Sequence, residues 1–186
     1  MRRRDNTFFY PNKPIRIYDP GRILKVMAAD DWIVQPKWDG KRVEIACSDK
    51  GEIQLYSREA SEWDSEDWQW LAELNLPRPW FLDGELLRDG RIFVWDIAMV
   101  RGTPVFHSEY RPRLKCLQET IPQPITRDGN SIACIETLRA SDYEQLLHRE
   151  GSDLLEGLVW KLLTAKNFWG PNATSEVNTQ FKFRFK

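Results

Sequence analysis

Turn residues set between alternating apolar runs constrain this chain more than any other feature. "RVEIACSDKGEIQLYSR", residues 42–58, alternates apolar and polar side chains on both sides of Asp49-Lys50-Gly51. That is the pattern of a hairpin with one face buried. "WFLDGELL" and "RIFVWDIAMV" are two strand-like apolar runs joined by Arg88-Asp89-Gly90-Arg91, a second hairpin. "IACIETL", "EGLVWKLL" and "TQFKFRF" read as further strands. Helical spacing marks "SEDWQWLAEL", with an acidic first turn, and "YRPRLKCLQETI", where Pro112 is tolerated early. Ser141 and Glu144 have capping-box spacing for a helix running to Glu150, with Gly151 as its stop. Two hairpins, further strands and a few interspersed helices predict an α+β domain built largely on antiparallel sheet.

Length and composition narrow the classes. A chain of 186 residues supports one sizeable domain, here 32–186, preceded by a basic arm and a short helical stretch over 1–31. Hydrophobic residues at 41% and charged residues at 30% exclude disorder as the overall state. Net charge is −1, so no global basic field announces nucleic acid; cations cluster instead at Arg2–Arg4 and at Lys182, Arg184 and Lys186. Three widely spaced cysteines with no CxxC pair fit neither a disulfide framework nor a zinc site, and point to a reducing, cytoplasmic compartment. The expectation is a monomer without a membrane anchor, with most of its nine tryptophans in the core.

The chemistry must come from Lys, Arg, Asp and Glu. There is no phosphate-binding GxxxxGK[ST] loop and no GxGxxG, and His107 and His148 are the only histidines. "QPKWDGKRVEI", residues 35–45, places an amine, Lys37, at a strand end, with an Asp39-Gly40 turn that returns Arg42 beside it. A lysine attacks only when deprotonated, and Arg42, Lys161 and Lys182 are the cations that would lower its pKa. Glu85 in "LDGELL" and Glu156 in "LEGLVWK" are carboxylates in apolar strand contexts and need a cation, a metal or a ligand hydroxyl as partner. Lys182 and Arg184 alternate with Phe181, Phe183 and Phe185, which puts the cations on one strand face and the aromatics on the other. Alone, each is an ordinary hairpin or a charged edge strand; their order along one chain carries the signal.

In that order the chain resembles the nucleotidyltransferase domain of the covalent nucleotidyltransferases: ATP-dependent DNA ligases, RNA ligases and mRNA capping enzymes. Lys37–Arg42 is similar to the family's first motif, KxDGxR, and Ser57-Arg58 to its Ser-Arg pair. Asp83–Leu86 matches DGEL, and Trp95-Asp96 the aromatic-Asp motif. Glu156–Lys161 matches the fourth motif, and Lys182-Phe183-Arg184 approximates the KxK of the fifth. The resemblance implies an antiparallel-sheet-rich, ATP-grasp-like ligase adenylation fold.

The resemblance also implies a role for each residue. Lys37 would attack the α-phosphate of ATP to give a lysyl-adenylate and pyrophosphate, with Asp39 and Arg42 beside it in the catalytic motif. Lys161 and Lys182 would hold the α-phosphate, and Arg184 would join them. Glu156 would place Mg²⁺ or Mn²⁺. Glu85 would accept from a ribose hydroxyl, Trp95 would stack on the base, and Gln35 would read its edge. Arg42 and Arg58 would meet the ribose or phosphates and then the 5′-phosphate of a nicked nucleic acid. Trp38 would be a packing residue.

Within the family, Glu156 in the fourth motif favours ligases over capping enzymes, and Arg42 favours DNA ligases over RNA ligases. The expected activity is an ATP-dependent polynucleotide ligase sealing nicks in DNA, as in replication and repair. The alternatives are an RNA ligase, a capping-type guanylyltransferase that takes GTP, and a non-catalytic module binding nicked or 5′-phosphorylated ends. Arg184 departs from the lysine usual in the fifth motif, and the two cations are not interchangeable at a phosphate. The OB-fold domain that follows in DNA ligases is not expected in this chain, leaving room for a partner domain in its place.

Overall fold

The computed structural model describes residues 13–19, 21, 30–147, 154–166 and 176–185. Strands and helices follow in the order β1 (Lys13–Arg16), β2 (Trp32–Trp38), β3 (Lys41–Cys47), β4 (Ile53–Ser57), β5 (Glu62–Trp63), β6 (Trp80–Leu86), β7 (Arg91–Val100), β8 (Thr103–Pro104), α1 (Tyr110–Thr120), β9 (Ile125–Arg127), β10 (Asn130–Cys134), β11 (Leu138–Arg139), α2 (Glu144–Leu147), β12 (Leu155–Leu162) and β13 (Glu176–Arg184). They form two sheets, β1-β13-β12-β2-β11 and β5-β4-β3-β6-β7-β10-β9, with β8 beside β7. The pairings are antiparallel except β1 with β13 and β10 with β7.

Both expected hairpins are present. β3 pairs with β4 around Gly51, and β6 with β7 around Gly90. These glycines hold φ of 84° and 81°, a left-handed conformation in which a Cβ would be strained. Alternation then decides the faces. Val43, Ile45, Leu55, Leu82, Val94 and Ile97 point to one side of the large sheet, where Trp68, Leu71, Leu117 and Ile121 cover them. The smaller sheet buries Val34, Leu158 and Trp160 against Ala140 and Leu146, with Phe181 and Phe183 packed alongside. Of the eight described tryptophans only Trp68, Trp80 and Trp160 are buried, fewer than the majority expected; Trp32, Trp38, Trp63, Trp70 and Trp95 keep partial exposure at the sheet faces and the cavity.

The structure differs from the sequence reading in five places. Asp39-Gly40 does not close a hairpin: β2 pairs with β12 and β11, whereas β3 pairs with β4 and β6, so the chain crosses there from one sheet to the other. Gly40 is required because a Cβ would lie 2.6 Å from the Leu86 carbonyl oxygen and 2.7 Å from Glu85 Cγ. Glu66–Glu73 is a 3₁₀ helix. The run 132–138 divides, with β10 in the large sheet and β11 in the small one. Lys13–Arg16, within the stretch read as an arm, is a strand of the small sheet. Ser141 lies inside a 3₁₀ turn, Ala140–Asp142, with its hydroxyl on Asp142, so it does not begin a capped α-helix. The basic residues 2–4, the helical run 22–27, His148, and the expected helix end at Glu150 and Gly151 lie outside the described residues. No described helix is long and apolar enough to cross a membrane.

Candidate active site

The two sheets enclose a cavity of about 530 Å³ whose floor and walls carry the charged residues singled out in the sequence. On the small-sheet side, strand register does the placing. Across β13, β12 and β2, Lys182 stands opposite Val159 and Val159 opposite Gln35; one step along, Arg184 stands opposite Gly157 and Gly157 opposite Lys37. Residues two apart on a strand share a face, so Gln180, Lys182 and Arg184 align with Lys161, Gln35 and Lys37 on one surface. Gly157 leaves the space for this: a Cβ there would collide with the Phe183 carbonyl and come within 2.9 Å of Arg184 Cα.

On the large-sheet side, β3, β4, β6 and β7 contribute Arg42, Ser57, Asp83, Glu85, Trp95 and Asp96. Trp95 owes its position to an irregularity. Asp83 pairs with Asp96, but Gly84 pairs with Val94, so Trp95 is the extra residue of a β-bulge. A bulge re-aims a side chain without ending the ladder, which lets Trp95 and Asp96, neighbours in sequence, both line the cavity. Gly84 permits the close approach, since a Cβ there would lie 2.5 Å from the Phe93 carbonyl oxygen.

The charges are paired in a definite pattern. Lys37 Nζ donates to Glu156, whose other oxygen receives Arg184 Nε at 2.6 Å. Arg42 grips Asp83 with two bonds, Nε to Oδ1 at 2.8 Å and Nη2 to Oδ2 at 2.5 Å, and Trp95 Nε1 donates to the same Oδ2 at 2.6 Å. Burial works against the Arg42 charge, but Asp83 outweighs it and holds the guanidinium above its ordinary pKa. Gly40 N–H donates to Glu85 Oε1 at 3.2 Å. Burial nevertheless pushes the Glu85 carboxyl up to about 7, against the pull of Lys37 and Arg42.

The deepest part of the cavity wall is largely buried. Lys161 is buried, and desolvation pushes its amine down to about 8 against the attraction of Asp96 and Asp83. Its Nζ donates to the Tyr110 hydroxyl at 3.3 Å and sits 5.7 Å from the Trp95 ring centre. Asp96 is raised by burial, although Arg113 lies against it with Nη1 at 3.2 Å. Trp38 packs on Phe93 with ring centres 5.0 Å apart.

Every residue named from the sequence as a site candidate lines this one cavity: Gln35, Lys37, Asp39, Arg42, Arg58, Glu85, Trp95, Glu156, Lys161, Lys182 and Arg184. Two are engaged differently from the expectation. Arg42 is clamped on Asp83, and the Gln35 amide nitrogen is bound by Tyr110 and Thr137 at 3.0 Å each. The sequence reading missed Lys13, which reaches the cavity from β1, and Asp83, which anchors Arg42 and Trp95. It also missed Tyr110 and Thr137. Asp83 was legible as the first residue of DGEL; Tyr110 and Thr137 carry no local signal. Among the described residues no three His, Cys, Asp or Glu side chains gather as a metal cluster.

The chain matches the ATP dependent DNA ligase domain family over residues 16–91. No curated protein matches it. Its fold is similar to the ligase domain of M. tuberculosis LigD, with a TM-score of 0.66 and 17% identity over 94% of this chain and 59% of that one. It is similar as well to mycobacterial DNA ligase D complexed with ATP and MES, with a TM-score of 0.62, 17% identity, and coverage of 94% and 60%. Against the ATP-dependent DNA ligase of bacteriophage T7 complexed with ATP the TM-score is 0.54, with 16% identity over 94% of this chain and 68% of that chain. The chain thus spans about three fifths of the two LigD structures it matches. At these identities the likeness shows the fold, which is that of a DNA ligase nucleotidyltransferase domain.

Proposed function

We propose that this chain is the adenylation unit of an ATP-dependent polynucleotide ligase, with DNA as the nucleic acid, acting through a lysyl-adenylate on Lys37. One observation carries the reading. A lysine amine at a strand end, a carboxylate on it, and three further cations from two neighbouring strands meet in one cavity beside an aromatic ring. Lys161, Lys182 and Arg184 converge on the space beside Lys37 and Trp95, and a concave site with convergent cations and an aromatic face suits a phosphate-bearing base.

The chemistry follows from the placement. Lys37 Nζ attacks the α-phosphorus, the bond from that phosphorus to the bridging oxygen breaks, and pyrophosphate leaves with the electron pair. The amine must first lose a proton, and Glu156 is the carboxylate already hydrogen-bonded to it. Lys161, Lys182 and Arg184 face the α-phosphate and offset its developing charge. Glu85, once ionised, accepts from a ribose hydroxyl, and Trp95 offers its face to the base. Mg²⁺ is usually held by one or two carboxylates together with phosphates and waters; Glu156 is the carboxylate that would hold it, once Lys37 leaves its oxygen for the phosphorus. Bound there, Mg²⁺ or Mn²⁺ would neutralise charge on the phosphates. Arg58 and Lys13 at the rim fit a role in meeting the 5′-phosphate strand. DNA is preferred because the matching family is that of DNA ligases.

The test is covalent labelling. The full chain is incubated with Mg²⁺ and ATP labelled on the α-phosphate, denatured, and run beside Lys37→Ala. Acid-labile label present in the wild type and lost in the variant is the expected result. Label that survives Lys37→Ala, or none from ATP where GTP labels, sinks the reading. Sealing of a nicked DNA duplex against nicked RNA then decides the strand.

A further inference from the structure

Gln35 is almost fully buried, and both hydrogens of its amide nitrogen are in use: Nε2 donates to the Tyr110 hydroxyl and to Thr137 Oγ1, each at 3.0 Å. Each hydroxyl has a backbone carbonyl of its own to donate to. Tyr110 Oη donates to the Trp95 carbonyl at 2.5 Å, and Thr137 Oγ1 donates to the Ile135 carbonyl at 3.2 Å. A hydroxyl has one hydrogen, so both present only lone pairs to Gln35. Burial holds the Tyr110 phenol well above 10, which keeps its proton in place. An amide side chain ordinarily has two near-equivalent orientations, and here the network selects one. The carbonyl oxygen, Oε1, is left pointing away from both hydroxyls. It has no hydrogen-bond partner among the described residues, and Gln35 lines the cavity.

We infer that Tyr110 and Thr137 are positioning residues that lock the Gln35 carbonyl toward the bound base, so that the site takes a purine with a 6-amino group and rejects one with a 6-oxo group. The inference rests on the nucleotide reading of the cavity. A locked acceptor meets a 6-amino donor productively; against a 6-oxo group it sets two acceptors face to face and leaves both unpaired. Neither residue lies in any of the six motifs. One comes from the start of α1 and the other from the link between β10 and β11. Tyr110 has a second task, since Lys161 rests on the same hydroxyl, so base recognition and phosphate binding share one anchor.

The experiment measures equilibrium binding of ATP and of inosine triphosphate, which differ at the 6-position and its neighbouring ring nitrogen, to the full chain. Wild type is expected to prefer ATP by roughly tenfold or more. Thr137→Val frees one side of the amide and should reduce the preference by about tenfold, whereas Thr137→Ser restores it. Tyr110→Phe should lose the preference and also weaken both ligands, because Lys161 loses its rest. In the Thr137→Val background, Gln35→Glu should recover the ATP preference, since a carboxylate presents an acceptor whichever way it turns. A fall in both affinities with the ratio intact overturns the inference, as does a wild type without preference. Covalent labelling is read in parallel. Discrimination without label sinks the ligase chemistry and leaves the lock standing; label with unchanged ratios in the variants does the reverse. A chain that binds neither nucleotide overturns both.

Discussion

Glu156 stands one strand away from Lys37 and carries its amine, while the other carboxylate oxygen carries Arg184. The candidate nucleophile is therefore held by the group best placed to take its proton, and that group is itself held from the far strand. Glu156→Gln would leave the shape and remove the base. Covalent labelling should fall by about 10²-fold or more. Labelling within threefold of wild type, measured as an initial rate, would show that Glu156 is only a tether.

Asp83 is the hinge of the opposite wall, receiving Arg42 through two bonds and Trp95 through one. Asp83→Asn would strand a largely desolvated guanidinium. Stability is expected to drop by about 2 kcal/mol, below the 3–5 kcal/mol of a fully buried pair because Arg42 keeps some exposure. Urea unfolding reads this directly, and an unchanged midpoint would contradict it.

Gly157 has no room for even one more carbon, because the β13 backbone lies against it. Gly157→Ala should push β13 off β12, displacing Lys182 and Arg184 together. The expected loss is about 1–3 kcal/mol of stability, with nucleotide binding weakened more than the stability loss alone explains. Wild-type ATP affinity in this variant would mean that β13 does not contribute to the site.

Two shifted groups set a pH window. Glu85 titrates near 7 in the folded chain against 4.5 ordinarily, so between those values the folded state holds more protons and stability falls as pH rises. Lys161, at about 8 against 10.5, is the converse: its buried charge costs stability below 8, and stability recovers as pH rises from about 8 to 10.5. For the ligand the demands run the other way, an ionised Glu85 and a charged Lys161. ATP affinity should therefore peak between about 7 and 8. Glu85→Gln should remove the acid limb of both curves, and an acid limb that persists would assign it elsewhere.

Much of this was legible in the sequence for simple reasons. The hairpins at Gly51 and Gly90 announce themselves because alternation and turn chemistry are local, and a period of two fixes which residues share a face. Lys182 and Arg184 were readable as one face for the same cause. The rest depends on pairing between distant segments. The Asp39-Gly40 crossing looks like a hairpin turn in one dimension; only the partners of β2 and β3 show that it is not. The bulge at Trp95 exists in the register with β6, not in the string of letters around it. Tyr110 and Thr137 meet Gln35 from 75 and 102 residues away, through hydroxyls that would be unremarkable anywhere else. The parallel pairings of β1 and β10 likewise have no hairpin to betray them.

The crossing at Asp39-Gly40 has a consequence for how the cavity keeps its dimensions. Trp38 ends β2 in one sheet and Lys41 begins β3 in the other, so the two residues between them act as a spacer bar joining two plates. One inserted residue there has two outcomes: it loops out and lengthens the spacer, or it slips β3 by one residue against β4 and β6, which turns the Arg42 side chain into the core instead of the cavity. The gap across which the two walls face each other is thus measured out by counting residues along the chain.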